Sequence, residues 1–344
     1  MTATALAPSA LPSAGVVLEV SDLTKRFGQL AAVDHLSFTV QPARVTGFLG
    51  PNGAGKTTTM RMLLGLVAPT SGSALIAGQR YRDLPNPMRV VGSALEATNF
   101  HPGRSGRDHL RVLADASGIP TRRVDEMLEL VGIPAAARQR AGGYSMGMRQ
   151  RLGLAAALLG DPAVLMLDEP ANGLDPEGIR WLRSFLRHLA AQGKTILISS
   201  HMLAEADLIV DDVVIIANGR SVAQGSMADL RGEPTVFVKS SDNAALASAL
   251  TARGVLTSPS EGGGLVARTG DPARVGDIAL AAGLPIHELH PLASDLEDLF
   301  FRLTDTPENR NRNLRTDGQP FIPPAGQSAL PVAPVETPEA GETR

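Results

Sequence analysis

The chain of 344 residues contains no cysteine. Disulfides, a thiol nucleophile and Cys-ligated zinc or iron–sulfur clusters are therefore excluded, and the default setting is cytosolic. Charge of one sign is lacking too. The 32 Lys and Arg stand against 35 Asp and Glu, a formal −3, so no strongly basic footprint for nucleic acid covers the whole chain. No run of about 18 apolar residues is present that could span a membrane. The nearest approach, Leu152 to Leu167, is interrupted by the turn signal Gly160-Asp161-Pro162. The first residues, MTATALAPSALPSAG, lack the positive start and unbroken apolar stretch of a signal peptide, and residues 1–15 read as a disordered tail. Beyond Thr306 the chain holds seven prolines and few aromatic or β-branched residues, so residues 306–344 read as a second disordered tail.

What remains is ordinary globular material: 43% hydrophobic and 19% charged residues, enough to bury a sizeable core. At roughly 150 residues per domain, the length allows one large domain with an appendage. Val16 to Val20, Ala32-Val33 and Leu36 to Val40 alternate as half-buried strands do, which predicts an antiparallel sheet. Short apolar runs at Val45 to Leu49, Ala163 to Leu167 and Thr195 to Ser199 then alternate with helical stretches at Lys56 to Leu66, Ser145 to Leu159 and Pro176 to Ala191. That order predicts a parallel sheet flanked by helices. Helical spacing over Arg107 to Ser117 and Arg122 to Val131 predicts a helical subdomain inserted at about residues 97–160. Residues 233–305 read as a small α+β domain, with strands at Val236 to Val238, Leu265 to Ala267 and Ile286 to Leu289 and helices over Asn243 to Arg253, Asp271 to Ala282 and Asp295 to Leu303.

The chemistry begins at Gly50-Pro51-Asn52-Gly53-Ala54-Gly55-Lys56-Thr57, followed by Thr58. It is a full phosphate-loop pattern lying between a strand and a helix, as that pattern requires. A chance match somewhere in such a chain has odds on the order of one in a hundred. The glycines let backbone N–H groups face phosphate oxygens, and the following helix N-terminus adds positive potential. Lys56 is placed to neutralise the β- and γ-phosphates, and Thr57 to ligate Mg²⁺. Val164 to Leu167 forms a second apolar run, ending in Asp168-Glu169 at the carboxyl end of a strand, where ligands bind in open α/β sheets. Taken alone, such a pair is more often a solvated strand end; beside a phosphate loop, Asp168 reads as a Mg²⁺ holder and Glu169 as the group that orients or deprotonates water.

Tyr144-Ser145-Met146-Gly147-Met148-Arg149-Gln150-Arg151-Leu152 resembles the signature sequence of ATP-binding cassette (ABC) proteins, with Ser145 at a helix N-cap position. The rest of the family's set follows in order: Asn172-Gly173-Leu174-Asp175 resembles its D-loop, Ser200-His201 its switch histidine, and Phe27 its adenine-stacking aromatic. Each is weak alone; six in the right order are not. The resemblance covers residues 16–232, one nucleotide-binding domain. It implies an α/β P-loop NTPase fold with an antiparallel β subdomain, an inserted helical subdomain and, here, a small α+β C-terminal domain. Two departures stand out. The signature reads Ser145-Met146-Gly147-Met148 where the common form is Ser-Gly-Gly-Gln, and Glu96 occupies the place of the Q-loop glutamine, where it could still contact Mg²⁺ or its water. Together with Ser105 to Leu110 and the closing Asp295 to Thr304, these departures resemble the antibiotic and bacitracin-resistance exporter subfamily.

The resemblance implies an ATPase with ATP and Mg²⁺ as cofactors, working as a head-to-tail homodimer. Each ATP would lie between one copy's phosphate loop and the other's Ser145 and Gly147, with His201 sensing the γ-phosphate and Asp175 coupling the two sites. It also implies integral membrane permease subunits as partners, reached through the region from Glu96 to Leu110, and a place on the cytoplasmic face of the membrane. Nucleic acid is not an expected partner. The alternative, a soluble ABC ATPase acting on ribosomes or DNA, usually carries two cassettes or a long coiled coil, and neither is present. For residues 233–305, dimerisation outweighs ligand sensing. His101, His109, His188, His287 and His290 are too scattered for a metal site.

Overall fold

The protein is described from a computed structural model covering residues 15–95, 100–231, 234–260, 262–292 and 300. Both tails and the expected helix over Asp295 to Leu303, save Phe300, lie outside the described residues, and so does Glu96.

The chain opens with β1 (Leu18–Phe27) and β2 (Leu30–Val40), longer than the alternation suggested because the stretch between them is strand up to the tight turn at Gly28-Gln29. The fully buried β3 (Val45–Leu49) leads through the phosphate loop into α1 (Lys56–Leu63), and β4 (Ser71–Ile76) follows. Strand β4 pairs with β1, completing an antiparallel sheet in the order β2-β1-β4. A short α2 (Pro87–Val90) runs into β5 (Val91–Ala94). Three helices come next: α3 (Gly106–Ala116), α4 (Arg122–Leu130) and α5 (Met146–Leu158). Strand β6 (Val164–Asp168), helix α6 (Pro176–Ala191) and strand β7 (Thr195–Ser200) restore the alternation. The cassette closes with α7 (Leu203–Asp207), the hairpin β8 (Asp212–Ala217) and β9 (Arg220–Ser226), and α8 (Met227–Arg231).

The larger sheet runs β5-β6-β7-β3-β8-β9, parallel except for β9. Its central strands are buried on both faces, so Val164 to Leu167 and Ile196 to Ile198 are continuously apolar rather than alternating. One face packs with α1 against the antiparallel sheet, where the Phe38 and Phe48 rings meet at 5.1 Å. The opposite face carries α5, α6 and the cluster of Leu110, Val124 and Leu128 from α3 and α4. Truncating Phe48, which has no exposed surface, would cost about 3–5 kcal/mol by the usual price of a core cavity.

Residues 234–292 form a separate sheet built from β10 (Thr235–Ser240), α9 (Asn243–Ala252), β11 (Thr257–Pro259), β12 (Leu265–Ala267), α10 (Pro272–Ala281) and β13 (Ile286–Leu292). The order β11-β12-β10-β13, all antiparallel, is the split β-α-β topology of ferredoxin-like units. Its core is Val236, Val238, Leu246, Leu250, Val275 and Ile278. The three residues of β11 carry too little pattern to be read from sequence. Phe300, 9% exposed, belongs instead to the cassette core on the α5–α6 side.

Candidate active site

Three neighbouring parallel strands, β6, β7 and β3, deliver their carboxyl ends to one place. The register aligns Leu49 with Ser200 and Asp168 with Ser199. The Gly50 N–H donates to the Ser200 carbonyl at 3.4 Å, so the phosphate loop starts anchored to β7. Within the loop, Gly55 has φ +105°, and a Cβ there would lie 2.5 Å from the Ala32 carbonyl oxygen. Only glycine satisfies both the backbone angle and the close approach. Gly53 also takes positive φ, and the Ala54 N–H donates to the Pro51 carbonyl at 3.1 Å within the loop. The hairpin between β8 and β9 buttresses the loop from behind. Gly219 donates its N–H to the Ala54 carbonyl at 3.0 Å, Asp34 donates its own to the Gly219 carbonyl at 2.9 Å, and the Arg220 guanidinium grips the Asp34 carboxylate at 2.7 Å.

Lys56 is 6% exposed. Its ammonium donates to the Gly50 carbonyl at 2.7 Å and lies 3.6 Å from the Glu169 carboxylate. Burial pushes the Lys56 pKa below the ordinary lysine range, while the Glu169 and Asp168 charges pull it back, so a cation is held in a semi-buried site. The Thr57 hydroxyl donates to Asp168 Oδ2 at 2.7 Å. Thr58 follows on the first turn of α1 and is half-buried. Glu169 has φ +50°, which turns the chain sharply as it leaves β6 and aims its side chain back over the loop. His201 Nδ1 sits 2.8 Å from Glu169 Oε2, and the Lys56 ammonium is near the other oxygen. The Glu169 carboxylate thus spans the space between the two cationic or hydrogen-bonding groups. The structure brings Lys56, Thr57, Asp168, Glu169 and His201 into one cluster. A single acid and a hydroxyl, both oxygen donors, suit a Mg²⁺ ion, which takes one or two protein ligands and completes its shell with phosphate and water. Among the described residues no group of three or more His, Asp or Glu forms an all-protein metal cage.

The remaining expected residues lie elsewhere. Phe27 is 53% exposed at the tip of the β1–β2 hairpin, with the Lys25 ammonium 4.9 Å from its ring centre. The signature heads α5: Ser145 caps it, its hydroxyl accepting the Met148 N–H at 3.2 Å, and Met146 is 48% exposed. Asp175 caps α6 through the Gly178 N–H at 2.7 Å, a local role that sequence alone did not assign to it. Gly173 packs so closely on Met146 that an added Cβ would lie 2.6 Å from its Cγ, and Gly147 faces Leu174. The segments expected as D-loop and signature therefore form a single surface, with Ser145 and Met146 exposed on it.

Two neighbours of the cluster escaped the sequence reading. Gln150, on α5, reaches the carbonyls of Glu169 and Asn172 at 3.4 Å each. Ser199, fully buried on β7, contacts both Asp168 and Glu169. The available signal was a pair of serines ending an otherwise apolar strand, at the end of the sheet where ligands bind.

Comparison with known proteins agrees with this geometry. The family described as "ABC transporter" matches residues 33–172, and a domain of unknown function, DUF8746, matches residues 234–297. The bacitracin transport ATP-binding protein BcrA of Bacillus licheniformis is 44% identical over 207 residues, 59% of this chain and 68% of that protein. The Nod factor export ATP-binding protein I of Burkholderia lata is 37% identical over 301 residues, 83% of this chain and 96% of that protein. Among solved structures, an ATP-binding subunit of an ABC transporter superposes with a TM-score of 0.57 at 31% identity, covering 62% of this chain and 92% of that one. A phosphate loop backed by paired acids and a histidine, followed by a capped helix, in a chain that covers 96% of such a relative at 37% identity, identifies this protein as an ATP-binding subunit of the ABC transporter family, an ATPase.

Proposed function

We propose that the protein powers a separate membrane permease that exports an antibiotic, peptide or lipid-like compound, working as a head-to-tail pair of cassettes on the cytoplasmic face of the membrane. The observation that carries this reading is the division of labour on one chain. The cluster around Lys56 is organised for a phosphate, whereas Ser145, whose hydroxyl caps its own helix, and Met146, which packs on Gly173, are exposed at the surface. Two copies turned head to tail place one copy's Ser145 and Gly147 amide against the nucleotide on the other's Lys56 loop. Phe27 offers its exposed face to the adenine ring.

Thr57, Asp168 and, from outside the described residues, Glu96 are the candidates to hold Mg²⁺, which when bound supplies positive charge against the phosphates. Glu169 orients and deprotonates the attacking water, a general-base role worth about 10²–10⁴ in rate. His201 donates a hydrogen bond to the γ-phosphate once Glu169 releases it, and Asp175 lies where a second copy would meet the D-loop. Binding adds contacts that only the closed pair possesses, and cleavage removes them.

Among the described residues no helix is long and apolar enough to cross a membrane. Motion therefore has to pass to other subunits. A groove of about 340 Å³ between the sheet and the helical insertion, lined by Leu64, Leu66, Leu95, Phe100, His109 and Leu113, suits an apolar segment of the permease. The relatives named for bacitracin transport and Nod factor export favour export as the direction. Residues 233–305 contribute a surface for pairing rather than chemistry.

The test is co-expression with the cognate permease. The protein should follow the membrane fraction and hydrolyse ATP there, and Glu169→Gln should trap a nucleotide-bound dimer. Sedimentation with ribosomes or DNA instead, or turnover by the Glu169→Gln protein equal to wild type, would overturn the reading.

A further inference from the structure

Between the two acids at the end of β6 sits a hydroxyl with no part in the functional reading. Ser199 has no exposed surface. Its oxygen accepts the Glu169 N–H at 2.9 Å, and its hydroxyl donates to Asp168 Oδ1. The directions follow from chemistry: a backbone N–H can only donate, so the single Ser199 proton is free for the carboxylate. One side chain thereby fixes both acids, Asp168 through its carboxylate and Glu169 through its backbone.

Each of those tethers acts where the chain has a choice. The Glu169 backbone sits at φ +50°, a conformation that residues other than glycine rarely adopt and that persists only where neighbours impose it. The Asp168 carboxylate is held at its two oxygens by different groups, Ser199 at Oδ1 and Thr57 at Oδ2, the latter at 2.7 Å. Thr57 is itself a candidate for the metal. When its hydroxyl turns to that task, Ser199 is the tether on the strand side that keeps Asp168 from swinging.

We propose that Ser199 is a positioning residue of the ATPase site, which orients Asp168 toward Mg²⁺ and holds the turn that aims Glu169 at the reacting phosphate. The inference rests on the metal and general-base roles given above to Asp168 and Glu169. It adds that their geometry depends on a neighbouring strand. Outer partners of this kind typically change metal affinity or activity by about 10- to 100-fold when removed.

The experiment compares Ser199→Ala, Ser199→Thr and Asp168→Asn in the full chain, using a fluorescent ATP analogue titrated first in EDTA and then with increasing Mg²⁺. With Ser199→Ala, binding in EDTA should stay within about twofold of wild type, while the Mg²⁺ concentration for half-maximal tightening rises about 10-fold or more and kcat falls by a similar factor. Ser199→Thr, which keeps the hydroxyl, should restore both. Should the alanine variant fail to fold, Ser199→Cys, a weak donor, reads the same two quantities. A Ser199→Ala protein with wild-type Mg²⁺ dependence, whatever its melting temperature, overturns the proposal. So does one that loses metal-free nucleotide binding to the same degree, since that is general disruption. If Asp168→Asn also leaves the Mg²⁺ dependence untouched, the metal reading of Asp168 itself fails, and the two failures are told apart.

Discussion

The two ends of the nucleotide site on this chain are built differently. At the phosphate-loop end every functional side chain is bound to another: Lys56 to Glu169, Thr57 and Ser199 to Asp168, and His201 to Glu169. At the signature end Ser145 caps its own helix and Met146 stands 48% exposed. A dense, half-buried network is a site already organised for a charged ligand. An exposed helix start is, on the proposed reading, half of a site that a second copy completes. On the proposed reading, the difference is why one copy would bind nucleotide and two would be required to use it.

Lys56→Ala should break the first end outright. It removes the buried cation and leaves the Glu169 carboxylate with His201 beside it, and equilibrium dialysis with ATP should find binding lost at concentrations that saturate wild type. Glu169→Gln keeps the shape and removes the base: ATP binding persists, turnover drops by about 10²–10⁴, and gel filtration with ATP should show a dimer. Ser145→Ala sharpens the comparison from the other end. Losing the cap costs about 0.5–2 kcal/mol by thermal unfolding. ATP should still bind the monomer normally, but in the Glu169→Gln background the ATP-dependent dimer should no longer form. A dimer that survives would remove the signature from the proposed interface.

The smallest expected effect concerns the buttress of the loop. Arg220 hydrogen-bonds Asp34 and holds its pKa below the usual carboxylate range, against the opposing effect of burial. A carboxylate whose folded pKa lies below its unfolded value stabilises the fold at neutral pH, and that stability is lost as pH falls through the acid range. Arg220→Ala should therefore lower stability at pH 7 by about 1–3 kcal/mol, the cost of leaving a buried polar group unsatisfied, with a modest loss of ATP affinity. The gap from wild type should narrow as the pH approaches the titration of Asp34, which urea unfolding at several pH values would check.

Much of this was legible in the sequence, for reasons that vary by element. The helix Pro176–Ala191 could be read to the residue because Pro176 marks its start and its apolar stripe keeps one period. Strands β3, β6 and β7 announced themselves as apolar runs because both their faces are buried. By contrast β4, β9 and β11 were not separated out, because almost every residue of β4 and β9 is half-buried or exposed and β11 has three residues; β8, buried almost throughout, was missed because it lies beyond the stretch of strand–helix alternation that was read. Lys56, Thr57, Asp168, Glu169 and His201 were readable because each belongs to a local pattern of fixed spacing. Ser199, Gln150 and the Gly219–Arg220 buttress belong to none. They matter through partners 19 to 186 positions away in the chain, which no local pattern encodes.

By itself the sequence determined the fold class, the phosphate grip and the pairing of acids at a strand end, because these rest on short-range spacing and on the periodicity of burial. Only the tertiary structure decided that Glu169 lies between Lys56 and His201, that Asp175 caps a helix, that Gly173 seats the D-loop on Met146, and that one serine holds both acids. Those facts depend on which strands become neighbours and on how far each is shifted along the other. Such choices are settled by burying both faces of a six-stranded sheet at once, not by any segment alone.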